Sequence, residues 1–458
     1  MSALAAEPKE STSGKARRLK PYPAYKHSGV EWLGKLPAHW GMTKMWAVAE
    51  AHSGATPAKE TLRYWDGGIP WVSPKDMKRR FIDSSEDTVS AAAISEAGLK
   101  IVPDPAVLVV VRGMILAHAF PVALTTVPVT INQDMKALRL REQLEPQFFA
   151  WWLEGIGPEL RAVLVEEAAH GTKAIRMDRW RTTPVEVPPH SEQRAIVAFL
   201  DRETARINEL LAKKERLIEL LQEKRAALIT CAFTNGLDSD VPTRETGGSL
   251  LPDIPNGWRP MKLRRLLARV SRPVRVEPEA EYREIGIRSW GKGIFHKDAV
   301  RGAQLEDKSV FYVKPGDLIL NIVFAWEGAV AIVSEREDGM VASHRFPTFR
   351  LADDQADLDY LLMYLQSEQG RALMGLNSPG AAGRNRTIRL DSFLNEEIPV
   401  PPLQVQREIV KSFRATEQLF GAAEIKARAL IDCLRELRAA VISAAVTGKI
   451  DVREQVVA

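Results

Sequence analysis

One long stretch occurs twice in this chain, and the repeat limits the possible folds more than any other feature. The first copy, residues 185–236, starts with Pro188-Pro189 and continues as a long helical pattern, and the second starts with Pro401-Pro402. Gln193-Arg194 aligns with Gln406-Arg407 at an offset of 213 (406 − 193). The alignment runs without a gap for about fifty positions, which predicts two copies of one structural unit related by an approximate two-fold.

Apolar residues recur every seven positions in both copies, starting at Leu200 and at Phe413. A seven-residue spacing held for about four heptads is typical of a coiled-coil seam. The predicted seam consists of Leu200, Ile207, Leu210, Leu217, Leu221, Leu228, Phe413, Phe420, Ala427, Leu430, Leu434, Leu437 and Val441. A helix of about 40 residues is roughly 60 Å long, which makes each copy a rod. Because a globule lies between the two rods in the chain, we expect the rods to pair antiparallel and to hold the two globules apart.

The segment before each rod repeats as well, since Pro37 and Trp40 match Pro255 and Trp258 at an offset of 218 (258 − 40). The predicted fold class is α+β: two α/β globules separated by two long helices that form an antiparallel coiled coil, with internal pseudo-two-fold symmetry. The predicted boundaries are 1–21 for a disordered tail, 22–187 and 237–400 for the globules, 188–236 and 401–450 for the helices, and 451–458 for a terminal tail.

Composition excludes several classes of protein. The 458 residues are 45% hydrophobic, enough for real cores, and the net charge of +4 does not by itself indicate a partner. Cys231 and Cys433 form no CxxC pattern, which argues against a zinc site and fits a reducing cytoplasm. No apolar run is long enough to span a membrane, and the first residues lack the apolar core of a signal peptide.

Motifs of catalysis are missing from the sequence. It contains no GxxxxGK[ST], HExxH or GxSxG pattern, and the glycine-rich stretch 375–383 has no following Lys-Ser/Thr to cradle a phosphate. Together with the duplicated rod, this favours binding over catalysis. We therefore expect no catalytic residue, no metal site and no cofactor bound by this chain.

The chain resembles the specificity (S) subunit of Type I restriction–modification enzymes. The resemblance covers residues from about 22 to 452, and its strongest element is the PP-x₃-QR opening followed by the duplicated helix. Val405 departs from the pattern, because the family often has Glu there, as at Glu192. The segments that carry the resemblance are 28–40, 65–77, 187–201, 225–237, 313–319, 400–410 and 438–451.

The resemblance implies a non-catalytic recognition subunit of a restriction endonuclease and DNA adenine methyltransferase complex. Two target-recognition domains would each read one half of an asymmetric, interrupted site in double-stranded DNA. The helices would set the spacer and dock two methyltransferase (M) subunits, and motor-nuclease (R) subunits would complete the enzyme. S-adenosylmethionine, ATP and Mg²⁺ are expected on those partner subunits.

Candidate DNA-binding residues are polar and cationic side chains in loops beside aromatic residues. In the first domain they are Ser73, Lys75, Asp76, Lys78, Arg79, Arg112, Gln133 and Lys173. In the second domain they are Arg288, Ser289, Trp290, Lys292, Lys297, His344, Arg345, Arg384, Asn385 and Arg386. Ordinary surface charge is the competing explanation for each of them.

Two other classes of function compete with DNA recognition. A non-catalytic coiled-coil adaptor would use both globules to bind proteins, and it would enrich no split motif from randomised duplexes. A self-sufficient methyltransferase or nuclease would act as the purified chain alone. The absence of a cofactor-binding glycine loop after a strand argues against the second of these classes.

Overall fold

The computed structural model describes residues 20–168, 171–237, 241–246, 253–305, 308–380 and 386–455. These residues form two compact units. The first unit runs up to Lys213 and resumes at Leu430, and the second is Lys214–Ala429. Most of the predicted N-terminal tail lies outside the described residues.

The first half of the chain alternates short strands and helices before its long helix. Its strands are β1 (Tyr25–His27), β2 (Lys35–Pro37), β3 (Gly41–Lys44), β4 (Ala49–Ser53), β5 (Trp65–Val72), β6 (Phe81–Ile82), β7 (Asp87–Val89), β8 (Val107–Val110), β9 (Val122–Thr125), β10 (Thr130–Ile131), β11 (Met135–Leu140), β12 (Val165–Glu167), β13 (Lys173–Ile175) and β14 (Pro184–Val187). Its helices are α1 (Met45–Val48), α2 (Ala91–Glu96), α3 (Pro146–Gly155), α4 (Gly157–Leu164), α5 (Met177–Thr182) and the long α6 (His190–Thr234).

The second half follows the same plan. Its strands are β15 (Thr243–Arg244), β16 (Ile254–Pro255), β17 (Arg259–Lys262), β18 (Leu267–Val270), β19 (Glu281–Ile287), β20 (Ile294–Arg301), β21 (Val310–Tyr312), β22 (Leu318–Leu320), β23 (Val330–Ile332), β24 (Val341–Ser343), β25 (Thr348–Leu351) and β26 (Glu397–Val400). Its helices are α7 (Leu263–Leu266), α8 (Leu358–Gln366), α9 (Glu368–Leu376), α10 (Leu390–Asn395) and the long α11 (Leu403–Val446).

Each half contains two main sheets with matching connections. In the first half a five-stranded sheet has the order β4-β11-β8-β9-β6, and a three-stranded sheet has the order β10-β5-β7. In the second half the corresponding orders are β18-β25-β22-β23 and β20-β19-β24-β21. The pair β10/β5 is parallel, and so is the pair β24/β19. The fold class predicted from the sequence, a duplicated mixed α/β unit with two long helices, is confirmed.

A buried glutamine fixes the start of each long helix. Gln193 accepts a hydrogen bond from the backbone N–H of Glu145 at 2.8 Å and donates to two backbone carbonyls. Gln406 accepts from the N–H of Asp357 at 2.7 Å and also donates to two carbonyls. Both glutamines are 0% exposed. The repeated Gln-Arg pair therefore has a structural reason: its glutamine joins the helix to the loop before α3 or α8.

The departure from the family's pattern at Val405 has a local consequence. Glu192 is 4% exposed and accepts hydrogen bonds from Trp40 Nε1 and His39 Nε2, both at 2.6 Å. Val405 takes its place in the second copy and packs against the second core. A buried carboxylate network in one half is thus replaced by apolar contact in the other.

The end of each long helix packs in the unit that contains the start of the other. In the first unit, Ile442 and Val446 of α11 belong to the core that also contains Leu200 of α6. In the second unit, Phe233 at the end of α6 packs edge-on against Tyr360, with ring centroids 5.3 Å apart. This division of both helices is the one that antiparallel pairing requires.

The inward stripe of the long helices follows the predicted seven-residue series only in part. Leu200 and Ile207 in α6 are buried, as are Ala427 and Leu434 in α11. Four other seven-residue positions, Leu221, Phe413, Phe420 and Val441, are half-buried, whereas Leu228 of the same series is exposed. The other predicted seam residues are 39–48% exposed; they are Leu210, Leu217, Leu228, Leu430 and Leu437.

The inward residues between the heptad positions lie four residues after them. In α6 these are Thr204, Leu211 and Ile218, which are buried or half-buried. At 3.6 residues per turn, both the third and the fourth following residue lie near the same face. The sequence has leucines three residues after several of the heptad positions, and they were predicted to lie in the seam. In the structure the residues four positions after the heptad positions face inward instead.

No helix within the described ranges is long and apolar enough to cross a membrane.

Candidate nucleic-acid interface

In each half, polar residues follow two adjacent parallel strands at the point where both strands end. Ser73 follows β5 and Asn132 follows β10, and the N–H of Asn132 donates to the carbonyl of Val72 at 2.9 Å. In the second half, Arg288 follows β19 and His344 follows β24. Because parallel strands end at the same edge of a sheet, each half presents one polar edge built from equivalent elements.

A cleft of about 570 Å³ opens at this edge in the first half. Its walls include Trp65 and Trp71, whose rings meet edge to face with centroids 5.2 Å apart. The polar part of the lining comes from Lys59, Ser73, Lys75, Asp87 and Asn132. Aromatic walls beside amide, hydroxyl and ammonium groups suit contacts to nucleotide bases and phosphates.

Ser73 and Asp76 are engaged with each other. The N–H and the hydroxyl of Ser73 donate to the Asp76 carboxylate at 2.8 and 2.9 Å, and the N–H of Glu86 donates to its other oxygen at 2.8 Å. Ser73 is 5% exposed. In the free protein these two predicted DNA-binding residues hold the shape of the turn after β5.

Three of the predicted cations in the first half already have carboxylate partners. Lys75 lies 2.8 Å from Asp87 and 3.2 Å from Glu86, and the hydrogen bond to Asp87 raises the pKa of Lys75 above its usual value. Arg79 pairs with Asp83 at 2.9 Å, and Lys173 pairs with Glu167 at 2.8 Å.

The remaining candidates of the first half are exposed. Lys78 and Arg112 have no carboxylate within ion-pair distance among the described residues. Gln133 accepts a hydrogen bond from the hydroxyl of Thr56. Among the first-half candidates, Lys78 and Arg112 are therefore the cations without a carboxylate partner in the described structure.

The second half has a larger cleft, of about 750 Å³, at the equivalent edge. It is lined by three residues predicted from the sequence, Lys297, His344 and Arg345. Lys297 lies 3.3 Å from Glu284, whereas His344 and Arg345 are exposed and have no carboxylate partner in the part of the chain that the structure describes. Arg345 therefore supplies a positive charge at this edge that no carboxylate of the described residues neutralises.

The β19–β20 hairpin tip adds further predicted residues beside this edge. The Arg288 guanidinium lies over the ring of Phe295, 5.3 Å from its centroid. The hydroxyl of Ser289 donates to Glu327. Trp290 and Lys292 are exposed at the tip.

Arg386 lies on a separate segment, with its guanidinium 5.1 Å from the ring centroid of Trp326. The N–H of Ile388 donates to the carbonyl of Ile322, and the N–H of Ile322 donates to the carbonyl of Arg345. These bonds place the segment after residue 385 next to Ile322, whose neighbours Asn321 and Val323 line the cleft. Arg384 and Asn385, also predicted, lie outside the described residues.

Sequence reasoning missed several residues that line the two clefts. Asn321 directly follows the buried strand β22, and an amide immediately after an apolar run is a signal that could have found it. Lys308 and Glu284 carried no such signal, because only the folded chain brings them to the cleft. Among the described residues, no group of three or more His, Cys, Asp or Glu side chains is placed to hold a metal ion.

A family model described as the Type I restriction modification DNA specificity domain matches residues 37–220 and 300–426. The two matched segments lie in different halves of the repeat and together make up more than half of the chain. The two halves that the structure shows to be equivalent are therefore both recognised by one family model.

Two curated relatives show how far the similarity extends. The specificity subunit of the Type I restriction enzyme EcoR124I/EcoR124II of Escherichia coli is 33% identical over 205 residues, which cover 44% of this chain and 47% of that protein. The match thus spans about half the length of that relative. The MjaIX specificity subunit of Methanocaldococcus jannaschii is 22% identical over 446 residues, covering 92% of this chain and 96% of that protein.

Solved structures share the fold over nearly the whole chain. A chain from a structure described as the "structural basis underlying complex assembly and conformational transition of the type I R-M system" has a TM-score of 0.66 at 17% identity, covering 90% of this chain and 98% of that one. The HsdS subunit from Thermoanaerobacter tengcongensis has a TM-score of 0.53 at 17% identity, covering 91% and 98%. At this identity the two matches establish a common fold.

Proposed function

This chain belongs to the Type I restriction modification DNA specificity family, and we propose that it selects the DNA sequence on which a Type I restriction–modification complex acts. Each half reads one part of an interrupted, asymmetric site. The chain itself carries out no bond-making or bond-breaking step.

The observation that carries this proposal is the repeated polar edge. Ser73 and Asn132 in one half, and Arg288 and His344 in the other, stand at the ends of equivalent parallel strand pairs. Two reading surfaces of the same origin but different side chains are what a bipartite, non-palindromic site requires.

The free energies of DNA recognition are consistent with two halves that read the site together. Specific DNA binding exceeds non-specific binding by about 4–10 kcal/mol, while one good bidentate base contact contributes about 1–3 kcal/mol. A few contacts from each half therefore suffice together, and one half alone would discriminate poorly.

The two surfaces differ in chemistry, and we propose that they differ in the bases they prefer. The first half offers the exposed amide of Gln133, which directly follows the cleft residue Asn132, and amides pair well with the major-groove edge of adenine. The second half offers arginines without carboxylate partners, such as Arg345, and guanidinium groups pair well with guanine. The second half would then also supply the larger share of phosphate contacts and salt dependence.

Specificity subunits of this family act together with other subunits and DNA. We propose two methyltransferase subunits and the motor-nuclease subunits as partners of this chain, with the long helices fixing the spacing between the two half sites. The proposal assigns S-adenosylmethionine, ATP and Mg²⁺ to those partners.

Selection from randomised duplexes tests the proposal. The purified complex of this chain with its methyltransferase subunits should enrich two short blocks of fixed bases separated by a fixed spacer. Methylation mapping in cells with and without the chain should report the same two blocks. One continuous block would contradict the two-reader arrangement, and no enrichment at all would favour the adaptor function.

A further inference from the structure

Trp290 is an unusual side chain for its position. It stands at the tip of the β19–β20 hairpin and is 62% exposed. A single exposed apolar side chain is common on protein surfaces, so the backbone and the neighbours of this ring decide whether it has a function. The hairpin tip lies at the polar edge of the second half, next to Arg288.

The backbone holds this ring outward at a conformational cost. Trp290 has a φ of 62°, in the left-handed region that non-glycine residues rarely adopt. Its N–H donates to the carbonyl of Glu327 at 2.8 Å, and the hydroxyl of Ser289 donates to the carboxylate of the same residue. Two hydrogen bonds to Glu327, one from the backbone of Trp290 and one from the side chain of Ser289, hold this strained conformation. Backbone strain that is maintained in this way points to a function for the exposed ring.

One guanidinium lies near the ring, and two further cations flank it in the sequence. Arg288 and Lys292 flank it in sequence, and neither has a carboxylate partner within the described ranges. The Arg371 guanidinium lies 5.6 Å from the ring centroid. An aromatic ring among cations matches a nucleic acid, which offers flat bases beside phosphates, better than it matches an apolar protein surface.

The equivalent turn of the first half is built differently. There the chain leaves β5 through the capped turn from Ser73 to Asp76 and reaches Met77, which is only 8% exposed. No side chain of that turn projects an aromatic ring. An exposed tryptophan at this turn is therefore a feature of the second half alone.

We propose that Trp290 stacks on a base of the second half site and acts as an aromatic wedge when the protein engages its target. This role rests on the proposed DNA-recognition function and adds one positioning contact to it. The equivalent turn of the first half carries no aromatic side chain, so stacking of this kind belongs to the second half site.

The test uses the complete complex with its methyltransferase subunits and duplexes that carry the selected split motif. A fluorescent base analogue is placed at successive positions of each half site. The wild-type complex should change the fluorescence at one step of the second half site. Trp290→Ala should abolish that change and weaken target binding about 5- to 150-fold, the equivalent of a stacking free energy of about 1–3 kcal/mol.

Three further variants make the result decisive. Trp290→Gly also removes the ring but suits the positive φ, so it should fold normally and bind as weakly as Trp290→Ala. Trp290→Phe should recover most of the affinity and the fluorescence signal. Trp46→Ala removes a tryptophan that is 52% exposed in the first unit and should bind like the wild type.

Two outcomes would overturn the wedge. The first is unchanged target affinity and unchanged analogue fluorescence in both Trp290→Ala and Trp290→Gly. The second is loss of methyltransferase subunits from these variants, because the ring would then be a protein contact. A wild-type complex that selects no split motif would instead refute the proposed function itself, which keeps the two failures distinct.

Discussion

The indole N–H of Trp152 donates a 2.7 Å hydrogen bond to the carboxylate of Glu186, and neither side chain is more than 1% exposed. Burial raises the pKa of Glu186 to about 7. One neutral donor does not replace the lost hydration of a carboxylate, so this site favours the protonated acid. The corresponding position of the second half, Pro399, carries no titratable group.

The first unit should therefore lose stability as the pH rises. The folded-state pKa of Glu186 lies above its ordinary value of 4.5, so the folded chain binds the proton more tightly. The stabilisation is complete below about pH 4.5 and is lost as the pH passes through about 7. Glu186→Gln should raise the free energy of unfolding at pH 8 relative to wild type, by on the order of 3 kcal/mol, and flatten its dependence between pH 5 and 8.

Denaturant titrations of both chains at several pH values, followed by tryptophan fluorescence, provide the measurement. Glu31→Gln, at an exposed glutamate of the same unit, is the matched control and should leave the wild-type slope intact. If the Glu186 variant kept that slope as well, the buried carboxylate would not be its source.

Substitution of Gly155 should weaken the packing of α11 against the core of the first unit. A Cβ on Gly155 would lie 2.6 Å from Cγ2 of Val446 and 3.1 Å from Cγ2 of Ile442, both in α11. We expect Gly155→Ala to destabilise the protein by about 1–3 kcal/mol through overpacking. The matched control is Gly375→Ala in α9, where an added Cβ meets open space; it should be neutral or stabilising by up to about 1 kcal/mol. Equal melting temperatures for the two variants would argue against this packing.

The paired glutamines predict similar losses in both halves. Gln193→Ala leaves the backbone N–H of Glu145 without its acceptor, and Gln406→Ala does the same to Asp357. Each change should cost about 1–3 kcal/mol in the free energy of unfolding. Gln404→Ala, at an exposed glutamine bonded only to Glu408, is the control and should cost much less. A tolerant Gln193 or Gln406 would show that the repeat persists for another reason.

Arg345 should contribute directly to target binding. It lines the cleft of the second half without a carboxylate partner among the described residues, so its charge is available. Arg345→Ala should weaken target binding by about 1–3 kcal/mol and relax specificity at one position if it contacts a base. If it contacts a phosphate, binding to all sequences should weaken, and the salt slope should fall by about 1.

Binding measured at several salt concentrations distinguishes these two contacts. Arg259→Ala, on strand β17 outside the two main sheets, provides a charge-matched control. Indistinguishable behaviour of the two variants on target and on random DNA would remove Arg345 from the reading surface.

Much of the fold was predictable because the repeat is a property of the sequence itself. The shared offset of Gln193 and Gln406 identified both long helices and the duplication. It could not show which side of each helix faces inward. Leu210 and Leu430 satisfy an apolar spacing, yet they are exposed, because the packing of each globule decides which neighbouring position turns toward the core.

The site was predictable only as a set of loops. Lys75 and Arg345 look alike in sequence, but Lys75 is paired with Asp87 on a neighbouring strand and Arg345 has no such partner in the described structure. Neutralisation of a charge depends on strand pairing, which the order of residues does not reveal. The positive φ of Trp290 likewise arises from contacts with a turn 37 residues away (327 − 290).

The first unit is formed by two separate segments of the chain, and this has a consequence for its biosynthesis. Its core includes Ile442, Ala445 and Val446, so the apolar surface that they cover stays open until the ribosome has made more than two hundred residues beyond Lys213. The second unit is a single uninterrupted segment and has all its parts earlier. Completion of the two units should therefore run against the order of synthesis, because the unit that is translated first is the last to receive all of its core residues.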